Sequence, residues 1–165
     1  MNAKFVISAG AAAFLLAGVA MAEEHGVEWK SLTTAKVPLD KGLAAAKQKG
    51  NPVSGKFEME DGKLQLSTYT STKGKYWEVI VDHKNGKIVE SKEIKEGDDL
   101  KHAQEQTEAM AKAKKSLAAA VAHATAQNKG YRAVSAMPSL ENGAPVAVVT
   151  LENASGTKTV SEKLN

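Results

Sequence analysis

Trp77, Val79 and Val81 alternate with Glu78, Ile80 and Asp82, the two-residue period of a strand. His83-Lys84-Asn85-Gly86 follows as a turn in which Asn-Gly offers the positive φ of a tight hairpin, and Ile88 and Val89 open the return strand. Strand patterns also run from Val53 to Glu60 and from Lys63 to Thr70, joined by Asp61-Gly62. Two more run from Tyr131 to Leu140 and from Pro145 to Glu152, joined by Glu141-Asn142-Gly143, and a last one runs from Thr157 to Leu164. A small-residue helical run precedes each set: Gly42-Leu43-Ala44-Ala45-Ala46-Lys47 in the first, Ser116-Leu117-Ala118-Ala119-Ala120 in the second.

The order helix, strand, turn, strand, strand thus occurs twice. Between the sets, Asp98-Asp99 suits a helix N-terminus and Asn128-Lys129-Gly130 a C-terminus. Leu100, Ala103, Thr107, Met110, Lys114, Leu117, Val121 and Ala124 recur between them as a thin apolar seam, which predicts one unbroken helix lying on a sheet. The expected fold is α+β: two units, each a helix packed on a small antiparallel sheet, joined by a long helix. Residues 37–97 make the first unit, and residues 98–165 the long helix with a second unit that lacks the closing hairpin. A unit of ~60 residues buries only about 60% of its unfolded surface, so the two are expected to pack together. Residues 23–36, polar except for Val27, Trp29 and Leu32, read as an N-terminal tail or a loosely docked strand.

The first 22 residues have a different character. Lys4 precedes an apolar run from Phe5 to Ala20, and Ala20-Met21-Ala22 is an A-x-A cleavage signal. A secretory signal peptide over residues 1–22 is expected, and with it a periplasmic or secreted product without a membrane anchor. The run is shorter than the ~20 residues a spanning helix needs. With Cys 0, no lipid-bearing cysteine stands at the cut and no disulfide can form, so the fold rests on packing. Aromatics are only 5%, which leaves Val, Leu, Ile, Met and Ala to fill the core. The formal net charge is +3, with Lys and Glu interleaved, so nucleic acid and anionic membranes are disfavoured as partners.

Asp82 ends a strand and Gly86 stands four residues later, behind a helix carrying Leu39, Leu43 and Ala46; Val79 and Val81 fill the strand between. This arrangement resembles a PepSY domain, closely in the first unit and loosely in the second. Pro38 departs from the usual Ser or Thr cap, and Gly42 from the usual Ala, a change worth ~1 kcal/mol against the helix. The resemblance implies an extracytoplasmic module that binds other proteins, as in propeptides of secreted metallopeptidases. It implies a non-catalytic envelope protein-binding module that inhibits or modulates a secreted peptidase, or alternatively a structural scaffold with tandem units and no inhibitory activity.

The chain's own chemistry points the same way. No G-x-S-x-G elbow occurs, and with no cysteine a nucleophile would have to be Ser, Thr or Lys beside a base, so an enzyme is not expected. On a continuous helix His102 and His123 would stand about 31 Å apart, too far to share a metal. Asp82, Asn85 and Gly86 read as turn residues, with the Asp carboxylate capping the turn and Gly adopting positive φ. Tyr69 and Tyr76 read as an exposed aromatic pair able to join a protein interface. The last strand, Thr157 to Leu164, has no hairpin beyond it, and its backbone is expected to stay open to β-augmentation by a protein partner. No cofactor is expected. Cleavage after Ala22 would however leave a free amine before Glu23, Glu24 and His25. An amine, two amide nitrogens and a third-position imidazole form the four-nitrogen square that adventitious Cu(II) or Ni(II) prefers.

Overall fold

The computed structural model describes residues 27–165. The signal peptide expected over residues 1–22 and the Glu23-Glu24-His25 motif lie outside the described residues. The elements are α1 (Trp29–Leu32), α2 (Leu39–Ala46), β1 (Asn51–Glu60), β2 (Lys63–Thr72), β3 (Lys75–Val81) and β4 (Ile88–Ile94). Then come α3 (Gly97–Ala111), α4 (Leu117–Gln127), β5 (Arg132–Glu141), β6 (Ala144–Asn153) and β7 (Gly156–Lys163).

One seven-stranded sheet, in the order β4-β3-β2-β1-β5-β6-β7, replaces the two small sheets expected. β1 pairs antiparallel with β5, Gly55 facing Ala136 and Lys56 facing Ser135. The reason is the edge. A separate first unit would leave the backbone of β1 unpaired, and joining it to β5 closes both strands at once. The two halves carry matching devices on either side of this junction. β1 is bulged between Pro52 and Ser54, β5 between Ala133 and Ser135. Their turns use positive φ at Asp61-Gly62 and at Asn142-Gly143.

The long helix is also absent. α3 stops at Ala111 and α4 starts at Leu117. The break is made by hydrogen bonds a straight helix cannot form. The N–H groups of Lys114 and Lys115 both donate to the carbonyl of Leu164, at 2.7 and 2.9 Å, and Ser116 Oγ accepts from the Ala119 N–H as an N-cap. The Leu164 carbonyl is free because its ladder partner is Pro145, which has no N–H to offer. The same device precedes α2, where the N–H groups of Lys36 and Val37 donate to the carbonyl of His83.

The break sends the two helices to opposite faces. A Cβ on Gly55 would stand 2.9 Å from Leu43 Cδ2 and 3.4 Å from Leu39 Cδ1 of α2, whereas its neighbour Ser54 donates a 2.7 Å hydrogen bond to Gln106 of α3. Adjacent strand residues point to opposite faces, so α2 lies on one face and α3 on the other. α4 packs beside α2. The core lies under that pair and includes Leu39, Leu43, Phe57, Leu66, Val79, Val81, Leu117, Val121, Val149 and Leu151. α3 contributes only Ala103, Ala109 and Met110 as buried residues.

The described part of the stretch expected as a tail, residues 27–36, is docked. Val27, Leu32 and Ala35 are buried, Trp29 packs on the core, and Arg132 Nη2 donates to the Ala35 carbonyl at 2.8 Å. Trp29–Leu32 forms one helical turn rather than a strand.

Candidate protein interface

The hairpin loop from Asp82 to Lys87 is longer than the tight turn its Asn-Gly pair predicts. Only Gly86 takes positive φ, at 77°, and Asn85 does not. Asp82 organises the loop: its carboxylate accepts from the Lys84 N–H and from Asn85 Nδ2, both at 2.7 Å, and its carbonyl accepts from the Gly86 N–H at 2.8 Å. These bonds favour the ionised form, and the Asp82 carboxyl is held below its usual range. All of its partners lie within the loop, which is a structural task.

Beside this loop lies a cleft of about 270 Å³ lined by Glu60, Asp61, Lys63, Gln65, Ile80 and His83. Burial pushes the His83 imidazole down from its ordinary value, and its Nδ1 has no hydrogen-bond partner among the described residues. Among the described residues no group of three His, Cys, Asp or Glu side chains is placed to hold a metal ion.

Tyr69 and Tyr76 share the α3 side of the sheet, since Tyr69 pairs with Glu78 and Tyr76 with Ser71 across the β2–β3 ladder. They are diagonal neighbours there. Neither is freely exposed: both are half-buried, and Tyr69 packs against the core. Trp77 faces the other side, toward α2. Around the tyrosines the sheet carries polar side chains that bond to one another. Lys56 pairs with Glu58 at 2.8 Å, Ser67 donates to Glu58, and Gln65 donates to Ser67 at 3.0 Å. Glu78 is raised above the ordinary carboxylate range, first by burial and then by the negative charges of Glu58 and Asp99. The two histidines expected on one helix face sit on different helices, both exposed.

The sheet ends in β4 on one side and β7 on the other. β4 is guarded: a register shift at Ile80/Val81 bulges it, and it carries Glu90, Lys92 and Glu93, the last bridged to Lys75 at 3.2 Å. β7 runs alongside β6 from Gly156 to Lys163 without a register shift. The Leu164 N–H donates to the Pro145 carbonyl at 3.0 Å, which fixes the phase of the ladder. Even-numbered residues of β7 point their backbone groups at β6, and Thr157, Thr159, Ser161 and Lys163 point theirs away. The charged side chains of β7 on the α4 side are engaged within the chain. Lys158 Nζ lies 4.2 Å from the centre of the Tyr131 ring, and Glu162 meets His123 Nδ1 at 2.8 Å.

Comparison with known proteins adds little to this picture. No family model matches the chain. No curated protein matches it. Among solved structures, a crystal structure described as a "putative lipoprotein" from Clostridium difficile 630 aligns with a TM-score of 0.46 at 12% identity, covering 79% of this chain and 88% of that one. Among the described residues no helix is long and apolar enough to cross a membrane.

The strand from Thr157 to Leu164 was legible in the sequence, and among the described residues it lies at the sheet edge. The parity of its outward backbone groups was not, because it depends on which β6 residue each position meets. The polar network around Glu58 and Glu78 joins residues from three strands, and no local signal pointed to it.

Proposed function

We propose that this chain is a non-catalytic, exported protein-binding module that receives an extended segment of a partner protein on β7. The observation that carries this reading is the straight, unbulged edge whose outward backbone groups belong to Thr157, Thr159, Ser161 and Lys163. An added strand gains main-chain hydrogen bonds without any chemistry from side chains. The resemblance of the Asp82 to Gly86 hairpin to PepSY domains makes a secreted zinc peptidase the first class of partner to test.

Thr159→Pro provides the test. Its N–H points away from β6, so proline removes a donor from the open edge while leaving the β6 ladder whole. A thermolysin-class zinc peptidase assayed on a short peptide substrate should be inhibited by the wild-type chain and at least about tenfold less by T159P, one lost edge hydrogen bond and a blocking ring accounting for that factor. Equal inhibition by both would remove β7 from the mechanism. No inhibition by the wild type at a large excess would leave a scaffold role in place of peptidase control.

A further inference from the structure

We propose that the β7 edge also receives a second copy of this chain, as a two-fold pair of β7 strands centred on Val160. This rests on the reading of β7 as an open edge and names a partner for it. An antiparallel edge pairing must join outward-pointing residues to outward-pointing residues. Centring the pair on Val160 satisfies that rule, because it sets Thr157 opposite Lys163 of the second copy and Thr159 opposite Ser161 of the second copy. All four outward positions of each strand then find a partner. The Lys163 carbonyl already accepts from Lys115 Nζ at 3.2 Å, so the register gives about six main-chain hydrogen bonds directly and two more once that side chain releases.

The side chains agree with the same register. Lys158 and Glu162 project on the α4 side, two residues either way from Val160, so the pairing places each lysine directly opposite the second copy's glutamate, twice by symmetry. Val160 meets itself at the centre, half-buried in the single chain and further covered in the pair. On the other face the contact is between Thr159 and Ser161, small hydroxyl side chains that cannot clash. Sliding one strand by two residues loses this match, since Lys158 or Glu162 then faces Val160. Lys158 already stands over the Tyr131 ring and Glu162 against His123 Nδ1, so the second copy's charges meet side chains that keep a partner in their own chain. No strand lies beyond β7 among the described residues, and the opposite edge, bulged and charged at β4, offers no equivalent match. An edge contact of this kind is small, so the pair should be reversible, with Kd on the order of 10 μM. Self-pairing would cover the same backbone groups that a foreign segment needs, so the dimer would hold the edge closed until such a segment competes for it.

Sedimentation equilibrium on the purified chain tests the register directly. Wild type should show a monomer–dimer equilibrium in the micromolar range. Lys158→Glu and Glu162→Lys each create two like-charge contacts and should weaken the dimer at least about tenfold. The double variant K158E/E162K restores opposite charges and should recover wild-type affinity to within about threefold, and an equimolar mixture of the single variants should form a heterodimer. Far-UV circular dichroism checks that each variant is folded. A wild type that stays monomeric to about 200 μM, single variants that dimerise normally, or a double variant that fails to recover would each overturn the proposal. A monomeric wild type that inhibits the peptidase through an intact Thr159 would overturn only the self-pairing. A wild-type dimer that obeys the charge swap but inhibits no peptidase would overturn only the peptidase reading.

Discussion

Gly42 shows how a residue that is wrong for its element can be right for the molecule. Glycine costs a helix interior about 1 kcal/mol relative to alanine, yet a Cβ here would stand 2.5 Å from Leu66 Cδ2, on a fully buried side chain. The close seating of α2 on β2 is what the glycine secures. Glu78 is the opposite case, a residue that costs stability where it stands. Its carboxyl is raised by burial and by Glu58 and Asp99, against the partial relief of Lys92 and Lys56. A folded-state pKa above the unfolded one means the folded chain holds the proton longer, so stability falls as pH rises through the unfolded value of ~4.3 toward the folded one. Glu78→Gln should therefore raise the Tm at pH 7, by about 2 °C once solvent screening of this half-exposed group is allowed for, and the gain should vanish below about pH 4. Thermal melts of both proteins at pH 3.5 and pH 7 would check it. A gain that is constant with pH would assign the effect to shape instead of charge.

At the scale of elements, the decisive event is the interruption between α3 and α4. Helical periodicity passes through residues 112–116 without a break, since the seam positions Met110, Lys114 and Leu117 keep their spacing. The chain leaves the helix there because three donors find better acceptors: Lys114 and Lys115 on the Leu164 carbonyl, and Ala119 on Ser116. Ser116→Ala removes the side-chain N-cap of α4 and should cost about 1 kcal/mol, lowering the Tm without merging the helices, because the Leu164 carbonyl still holds the loop. Chemical denaturation would measure the loss, and Ser116→Asp should restore most of it. A variant as stable as wild type would show that the Leu164 contacts alone set the start of α4. The N-terminal turn follows the same rule at smaller size. Trp29–Leu32 is too short to stand alone, and it persists because Leu32 is fully buried and Arg132 reaches the Ala35 carbonyl.

At the scale of the molecule, the two halves share one sheet, and neither can be removed without stripping the other. β1 lies between β2 and β5, and α2 packs against α4 as well as against its own strands. A fragment of residues 27–96, which contains the whole first set of strands, should lack a cooperative thermal transition, because the outer edge of β1 and the α4 side of α2 would both face water. Circular dichroism of the fragment would test this, and addition of residues 97–165 should restore the transition. A sharp unfolding transition in the isolated fragment would instead make it an independent domain.

The strands, their turns and the faces they present were readable in the residues themselves. Alternation from Trp77 to Val81 placed Val79 and Val81 in the core, and the Asp61-Gly62 and Asn142-Gly143 pairs supplied the positive φ of their turns, because period and φ are properties of a few consecutive residues. What such a reading missed were pairings between distant positions. Gly55 beside Ala136, Lys115 on Leu164 and Ser54 on Gln106 depend on which element comes to lie next to which, and local pattern carries no trace of that choice. Two separate sheets and one sheet satisfy the same alternation, and an unbroken helix and a broken one satisfy the same seam. The sequence by itself therefore determined the strands and the turns that join them. Only the tertiary structure decided that β1 and β5 would satisfy each other's backbone, that the helix would break to fill the carbonyl left free by Pro145, and that the outward groups of β7 would be those of its odd-numbered residues.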